Sequence, residues 1–236
     1  MTARSRPAYR EGMLHIWREA DRYRGGDAAA GIETRHAFSF SGFYDPHNTR
    51  FGLLVACNEE RLAPGAGFAE HPHADVEIVT WVIEGELTHE DSAGRRAVIR
   101  PGDVQRLSAG RGIRHVERNA GSEPLRFVQM WLVPGVFGGD AEYEVVRGIA
   151  DGTPYALSRA DAVLHVRRLG TGERTVVPDA PWVYVHVVRG GLRLGGEPLT
   201  AGDAARITGA EGLEAAGDGP GTEVLIWEMH AEPSYG

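Results

Sequence analysis

A chain of 236 residues has room for one large domain or two of about 100 to 120 residues, and can bury a core without staples. Its composition, 42% hydrophobic and 25% charged, is that of an ordinary globular protein. A formal net charge of −8 argues against direct nucleic-acid binding, which wants a basic face; no apolar run reaches the roughly 18 residues of a membrane helix; and the single cysteine, Cys57, excludes an internal disulfide and fits a reducing cytoplasm.

Residues 1–30 read as an N-terminal tail and a lead-in strand. Met1-Thr2-Ala3-Arg4-Ser5-Arg6-Pro7 lacks the hydrophobic segment of a secretory signal and is expected to be disordered. Arg4, Arg6, Arg10, Arg18, Arg22 and Arg24 crowd this end and read as a solvated charge run.

Residues 31–140 read as a first β domain. Cys57 closes the apolar stretch Leu53-Leu54-Val55-Ala56-Cys57 and is expected to be a core residue. His71-Pro72-His73 puts two imidazoles at i and i+2, which share one face of a strand. Pro72 has no N–H, so that strand is not a central one. Glu77-Ile78-Val79-Thr80-Trp81-Val82-Ile83 and Phe127-Val128-Gln129-Met130-Trp131-Leu132-Val133 are β-branched and aromatic, bounded by turn residues, and predict strands. Between them, His115 and Glu117 repeat the i, i+2 spacing. His89, in Thr88-His89-Glu90-Asp91, reads as a surface histidine near a turn.

Residues 141–236 read as a second β domain, the junction falling in the Gly-rich stretch 138–150. A marginal helix is expected around Ser158-Arg159-Ala160-Asp161-Ala162. The second half echoes the first. Val82-Ile83-Glu84-Gly85-Glu86-Leu87 followed by Ile99-Arg100-Pro101-Gly102-Asp103 has a counterpart in Val187-Val188-Arg189-Gly190-Gly191-Leu192 followed by Leu199-Thr200-Ala201-Gly202-Asp203. The 32 glycines, evenly spread, suit many short strands joined by tight turns, so the chain is expected to be all-β, as two tandem β-barrels. Aligning Gly190 with Gly85 and Gly202 with Gly102 sets Val176, Pro178, Ala215 and Gly217 opposite His71, His73, His115 and Glu117. None of those four binds a metal, so the second domain is expected to be structural or regulatory. His165, His186 and His230 read as ordinary histidines.

Three neutral imidazoles and a carboxylate suit a divalent first-row ion such as iron(II), and also accept manganese, cobalt, nickel, copper or zinc. Each histidine pair alone is a weak signal; together with the flanking glycines they are strong. Gly65, His71, His73, Glu77 and Gly85, then Gly102, Ser108, Gly110, His115 and Asn119, nearly match the two cupin motifs. The chain more narrowly resembles the pirin family of bicupins. The resemblance rests on Arg35-His36-Ala37-Phe38-Ser39-Phe40, Tyr44-Asp45-Pro46, Pro64-Gly65-Ala66-Gly67-Phe68, His71-Pro72-His73, Glu84-Gly85-Glu86-Leu87-Thr88-His89, Pro101-Gly102-Asp103-Val104-Gln105 and the His115, Glu117 and Asn119 positions. It covers most of residues 31–133 in order; the second half resembles the family's degenerate C-terminal domain in outline. Departures include Ala74, Trp81, Arg114 and Val116.

The resemblance implies two jelly-roll domains in a monomer and one metal held by His71, His73, His115 and Glu117, with Glu117 rather than Glu77 as the carboxylate ligand. Glu77 is then left to orient a ligand imidazole. It also implies cleavage of flavonols such as quercetin by a 2,3-dioxygenase, with a planar phenolic substrate, dioxygen as co-substrate and Glu117 as the base. Phe68, Val79, Trp81 and Met130 are expected to line the pocket. The alternatives are a non-catalytic, metal-dependent regulator that binds a transcription or metabolic protein, and an isomerase or structural cupin.

Overall fold

The computed structural model describes residues 14–233. Arg4, Arg6, Arg10 and the expected disordered tail lie outside the described residues. Within them the chain is all-β, with 3-10 turns only at Glu19–Asp21 and Ala28–Ala30. No described helix is long and apolar enough to cross a membrane. The stretch around Ser158 forms bends rather than the expected helix.

The chain divides into two compact units of cupin type. Of the described residues, the larger takes Ala20–Ala150, Leu157–Asp161 and those from Glu232; the smaller takes those up to Glu19, Asp151–Ala156 and Ala162–Ala231. The sequence-based junction at 140/141 precedes the strand Glu142–Val146, which pairs with Val104–Ser108 inside the larger unit.

In the larger unit, a seven-stranded sheet runs in the order Glu142–Val146, Val104–Ser108, Glu77–Glu84, Leu125–Leu132, Leu54–Leu62, Ile32–His36 and Tyr23–Asp27. A four-stranded sheet runs Gly67–His73, Ile113–Arg118, Leu87–Asp91 and Arg96–Ile99. All pairs are antiparallel. Each sheet is an open ladder, so the barrels expected from the sequence are here pairs of sheets packed over a shared core.

That core is layered. Leu62, Val82, Leu87, Ile99, Leu125 and Phe127 form one apolar layer; Ile78, Leu107, Ala109 and Ile113 form another. Strand alternation places Thr80 between Ile78 and Val82, Gln129 between Phe127 and Trp131, and His115 two residues from Ile113. A polar layer is thus held between two apolar ones, where water is scarce and each polar atom needs a partner. Cys57 is buried, as expected of a core residue.

The smaller unit repeats the plan. A six-stranded sheet (Leu14–Trp17, Ala204–Thr208, Trp182–Arg189, Thr222–Met229, Ala162–Leu169, Pro154–Ala156) accompanies a four-stranded one (Arg174–Val176, Glu214–Gly217, Gly191–Leu194, Glu197–Thr200). Its edge strand, Leu14–Trp17, comes from the N-terminal end of the chain and pairs with Ala204–Thr208. The charge run read as solvated is therefore partly built in: Arg18 binds Asp203 at 3.0 Å, and Arg22, in the larger unit, is buried.

Candidate metal centre

Two neighbouring strands of the small sheet carry the expected ligands. His115 lies opposite His71 and Ile113 opposite His73, but Glu117 lies opposite Phe68. One extra residue in Gly67–His73 thus forms a β-bulge beside the site, a device that re-aims side chains. On the other side of Ile113–Arg118 the register is regular, with His115 opposite Asp91 and Glu117 opposite His89. Gly67–His73 is the edge strand of its sheet, which accounts for Pro72.

The three imidazoles converge. Ring centroids are 4.8 Å apart for His71 and His73, 4.4 Å for His71 and His115, and 4.9 Å for His73 and His115. Their ligand nitrogens lie within 4.8 Å of one another. His71 Nε2 and His115 Nε2 are 3.0 Å apart. Two donors about 2.1 Å from one ion, at right angles, lie about 3.0 Å from each other. His73 Nε2 is buried and has no hydrogen-bond partner among the described residues.

Electrostatics favours neutral rings. Burial, then repulsion from His115 and His71, brings His73 down to about 4. Burial, then His71 and His89, brings His115 down to about 3. Both are uncharged near neutral pH and present lone pairs, as ligation requires. His71 Nδ1 donates to the Ala69 carbonyl at 2.8 Å, which leaves its Nε2 for the ion.

Glu117 is set differently. Its carboxylate groups with His115 and His89 within 4.8 Å, not with all three imidazoles. Gln105 Nε2 donates to its Oε1 at 3.2 Å and Gln129 Nε2 to its Oε2 at 2.8 Å. Trp131 Nε1 donates to Gln129 Oε1 at 2.9 Å, so this amide is held with its NH₂ toward Glu117. Trp131 also packs edge-on against His73, at 4.9 Å, and against Phe40, at 5.0 Å. The donor set therefore fits a divalent ion: uncharged imidazoles, a partnerless buried nitrogen and an oriented carboxylate.

Several expectations need correcting. His89 is no surface residue: it is 0% exposed, with Nδ1 3.4 Å from His115 Nδ1 and Nε2 3.5 Å from Asp91 Oδ2. The signal was its spacing, two residues from the inward Leu87. Glu77 does not orient an imidazole. It lies opposite Ser108, on the sheet face away from Thr80 and Gln105, and accepts from Ser108 Oγ at 2.6 Å. Val79, Trp81 and Met130 share that far face by strand parity and do not line the site. Phe68 does approach it, 6.4 Å from His71 between ring centroids. Sequence reasoning missed Gln105, Gln129, Tyr143 and Asp91, because inward polar residues on strands become conspicuous only once the facing apolar layers are known.

The smaller unit carries no such set among the described residues. Ladder register there sets Thr175 opposite Ala215 and Leu192 opposite Gly217. The Gly217 backbone pairs with Gly172 and Glu173 as that of Asn119 pairs with Gly65 and Ala66, so Ala215 stands for Glu117 and Leu213 for His115, two residues from the sequence alignment. Val177, bonded to Leu213, takes the place of His71, and none of these side chains is a metal donor.

Comparison with known proteins agrees with this geometry. The family description "Pirin" matches residues 18–132, and "Quercetinase C-terminal cupin domain" matches residues 157–229. A Mycobacterium tuberculosis relative, whose name assigns it provisionally to the quercetin 2,3-dioxygenases, is 44% identical over 93% of this chain and 96% of its own. The protein named quercetin 2,3-dioxygenase from Escherichia coli K12 is 32% identical over 84% of this chain and 91% of its own. Among solved structures, the bacterial pirin YhhW from Escherichia coli in complex with nickel(II) aligns with a TM-score of 0.85 and 29% identity, covering 93% of this chain and 100% of that one.

Proposed function

This chain belongs to the pirin family, and from that membership we propose that it is a metal-dependent dioxygenase that cleaves flavonols such as quercetin. One divalent ion would be held by His71, His73, His115 and Glu117. Iron(II) is our choice of ion; nickel is the ion named for the YhhW complex, and the donor set also accepts it. The observation that carries the reading is the convergence of three imidazoles, two of them neutral, around a buried His73 nitrogen without a partner.

A bound ion supplies Lewis acidity toward a phenolic or enolic oxygen, which eases loss of its proton. The chain's own groups do the rest. Each Glu117 oxygen accepts one amide N–H and keeps a lone pair for an incoming proton. Trp131 and Phe40 offer an apolar, edge-packed surface beside His73, suited to a planar ring system. The apolar layer around Leu87, Leu125 and Phe127 closes one end of the interior and excludes water.

Dioxygen consumption with quercetin tests the reading. The metal-loaded protein should consume dioxygen, and Glu117→Gln and His115→Ala should each abolish turnover. Full metal loading with no dioxygen uptake from quercetin or other flavonols would instead favour the metal-dependent regulator.

A further inference from the structure

We propose that Tyr143 is a positioning residue that fixes both sides of the metal centre, His115 through His89 and Glu117 through Gln105; the inference rests on the metal reading above. Tyr143 sits on the edge strand Glu142–Val146, opposite Leu107. Its ring stacks on His89 with centroids 4.5 Å apart and planes 17° apart. Its hydroxyl donates to Gln105 Oε1 at 3.0 Å. One side chain thus touches two arms that lead to two different candidate ligands.

The Glu117 carboxylate, which only accepts, settles which way the Gln105 amide points, and the Tyr143 hydroxyl, free to donate, holds it there. With Oε1 taken by Tyr143, the NH₂ faces Thr80 Oγ1, at 3.2 Å, and Glu117 Oε1, also at 3.2 Å. The flipped amide would set its carbonyl oxygen against the carboxylate, leaving two acceptors facing each other. On the other arm, an ion on His115 Nε2 leaves the ring proton on Nδ1, which donates to His89 Nδ1. The His89 proton is then on Nε2, facing Asp91 Oδ2. Stacking on Tyr143 holds the His89 ring where both contacts are made. Such outer contacts orient ligands and tune their basicity.

The smaller unit serves as an internal control. By ladder register, Leu14 stands where Tyr143 does, Ala205 for Gln105, Ile226 for Gln129 and Leu194 for His89. All but Leu14 belong to one buried apolar cluster, and Leu14 packs against it. Where the ligands are missing, the whole supporting set is missing with them. Tyr143 and its partners are thus not something this fold needs to close its core.

The test uses the full chain and Co(II), whose visible ligand-field spectrum reports ligand geometry. Tyr143→Phe keeps the ring and removes the hydroxyl; Tyr143→Leu removes both. We expect Tyr143→Phe to weaken Co(II) binding about tenfold and to alter the spectrum, and Tyr143→Leu to weaken it further. Adding Tyr143→Phe to Gln105→Ala should cost little more than Gln105→Ala alone, because both act through one arm. A purely structural role would lower the melting temperature and leave the spectrum of the loaded protein unchanged. Affinity within twofold of wild type, together with a superimposable spectrum for Tyr143→Phe, overturns the proposal. Wild-type protein that takes up no Co(II) fails the metal reading itself, and this inference falls with it.

Discussion

Glu60 lies on the inward face of its strand, opposite Thr34, whose Oγ1 donates to its Oε2 at 2.5 Å. Burial pushes its carboxyl up to about 8, Thr34 pulls the other way, and the nearby Glu117 and Glu59 add to the rise. The folded chain therefore keeps a proton that the unfolded chain gives up above about pH 4.5. With the unfolded state binding fewer protons at this site, the Glu60 contribution falls as pH rises from about 4.5 to about 8, by on the order of 1 kcal/mol per unit, while His73 and His115, neutral in the folded chain, contribute the opposite slope below about pH 6.5. Denaturant unfolding of metal-free protein at pH 5 and pH 8 should show the wild type losing stability relative to Glu60→Gln across that interval. Gln129 makes a second case. Gln129→Leu strips Glu117 Oε2 of its donor and should weaken divalent-metal binding about 10- to 100-fold, read by competition with a chromophoric chelator. At this scale the sequence was most legible where chemistry and spacing coincide: the i, i+2 pairs at His71, His73, His115 and Glu117 mark themselves. His89 and Glu77 were misread because alternation shows which residues share a face, not which face is inward.

The strand Gly67–His73 depends on one close approach. A Cβ added to Gly67 would meet Arg118 Cβ at 2.5 Å and the Glu117 carbonyl oxygen at 2.6 Å. Backbone cannot yield as a flexible side-chain tip does, so Gly67→Ala should force the strand away from Ile113–Arg118. His71 and His73 would shift against His115. The expected result is a loss of roughly 1–3 kcal/mol of stability with a loss of metal affinity in the variant that remains folded, measured by thermal melting and by metal titration. Strand existence was readable from β-branched runs and turn residues. The bulge beside His71 was not, since an extra residue shows only against a partner strand. Nor could the pairing of Leu14–Trp17 with Ala204–Thr208 be read, because local pattern says nothing of a partner far along the chain.

At the scale of the molecule, the Gly-Asp turns show how deep the duplication runs. Asp103 accepts from Arg100 N, Gly148 N and Arg147; Asp203 accepts from Thr200 N, Glu19 N and Arg18. Arg147 also donates to the Val98 carbonyl, and Arg18 to that of Pro198. Each carboxylate thus ties down the end of an edge strand, one following Glu142–Val146 and the other Leu14–Trp17. The sequence echo announced the two turns, but not that their partners come from such different places in the chain. Burial works against ionisation of both aspartates, yet these hydrogen bonds and the arginines hold both below the usual carboxylate range. Their contribution is present above the unfolded value, near pH 4, and is lost as pH falls through the lower folded values. Asp103→Asn and Asp203→Asn should each cost about 1.5–3 kcal/mol at pH 7, and the double variant should show a shallower loss of stability below pH 4 in acid titrations followed by circular dichroism.

Everything proposed for this site requires that these side chains hold an ion. Anaerobic reconstitution with iron(II), followed by removal of free metal and elemental analysis, measures that directly. The predicted result is close to one metal per chain in the wild type and almost none in the His71→Ala/His73→Ala double variant. A metal-free wild type after reconstitution, or equal metal in the double variant, would contradict it.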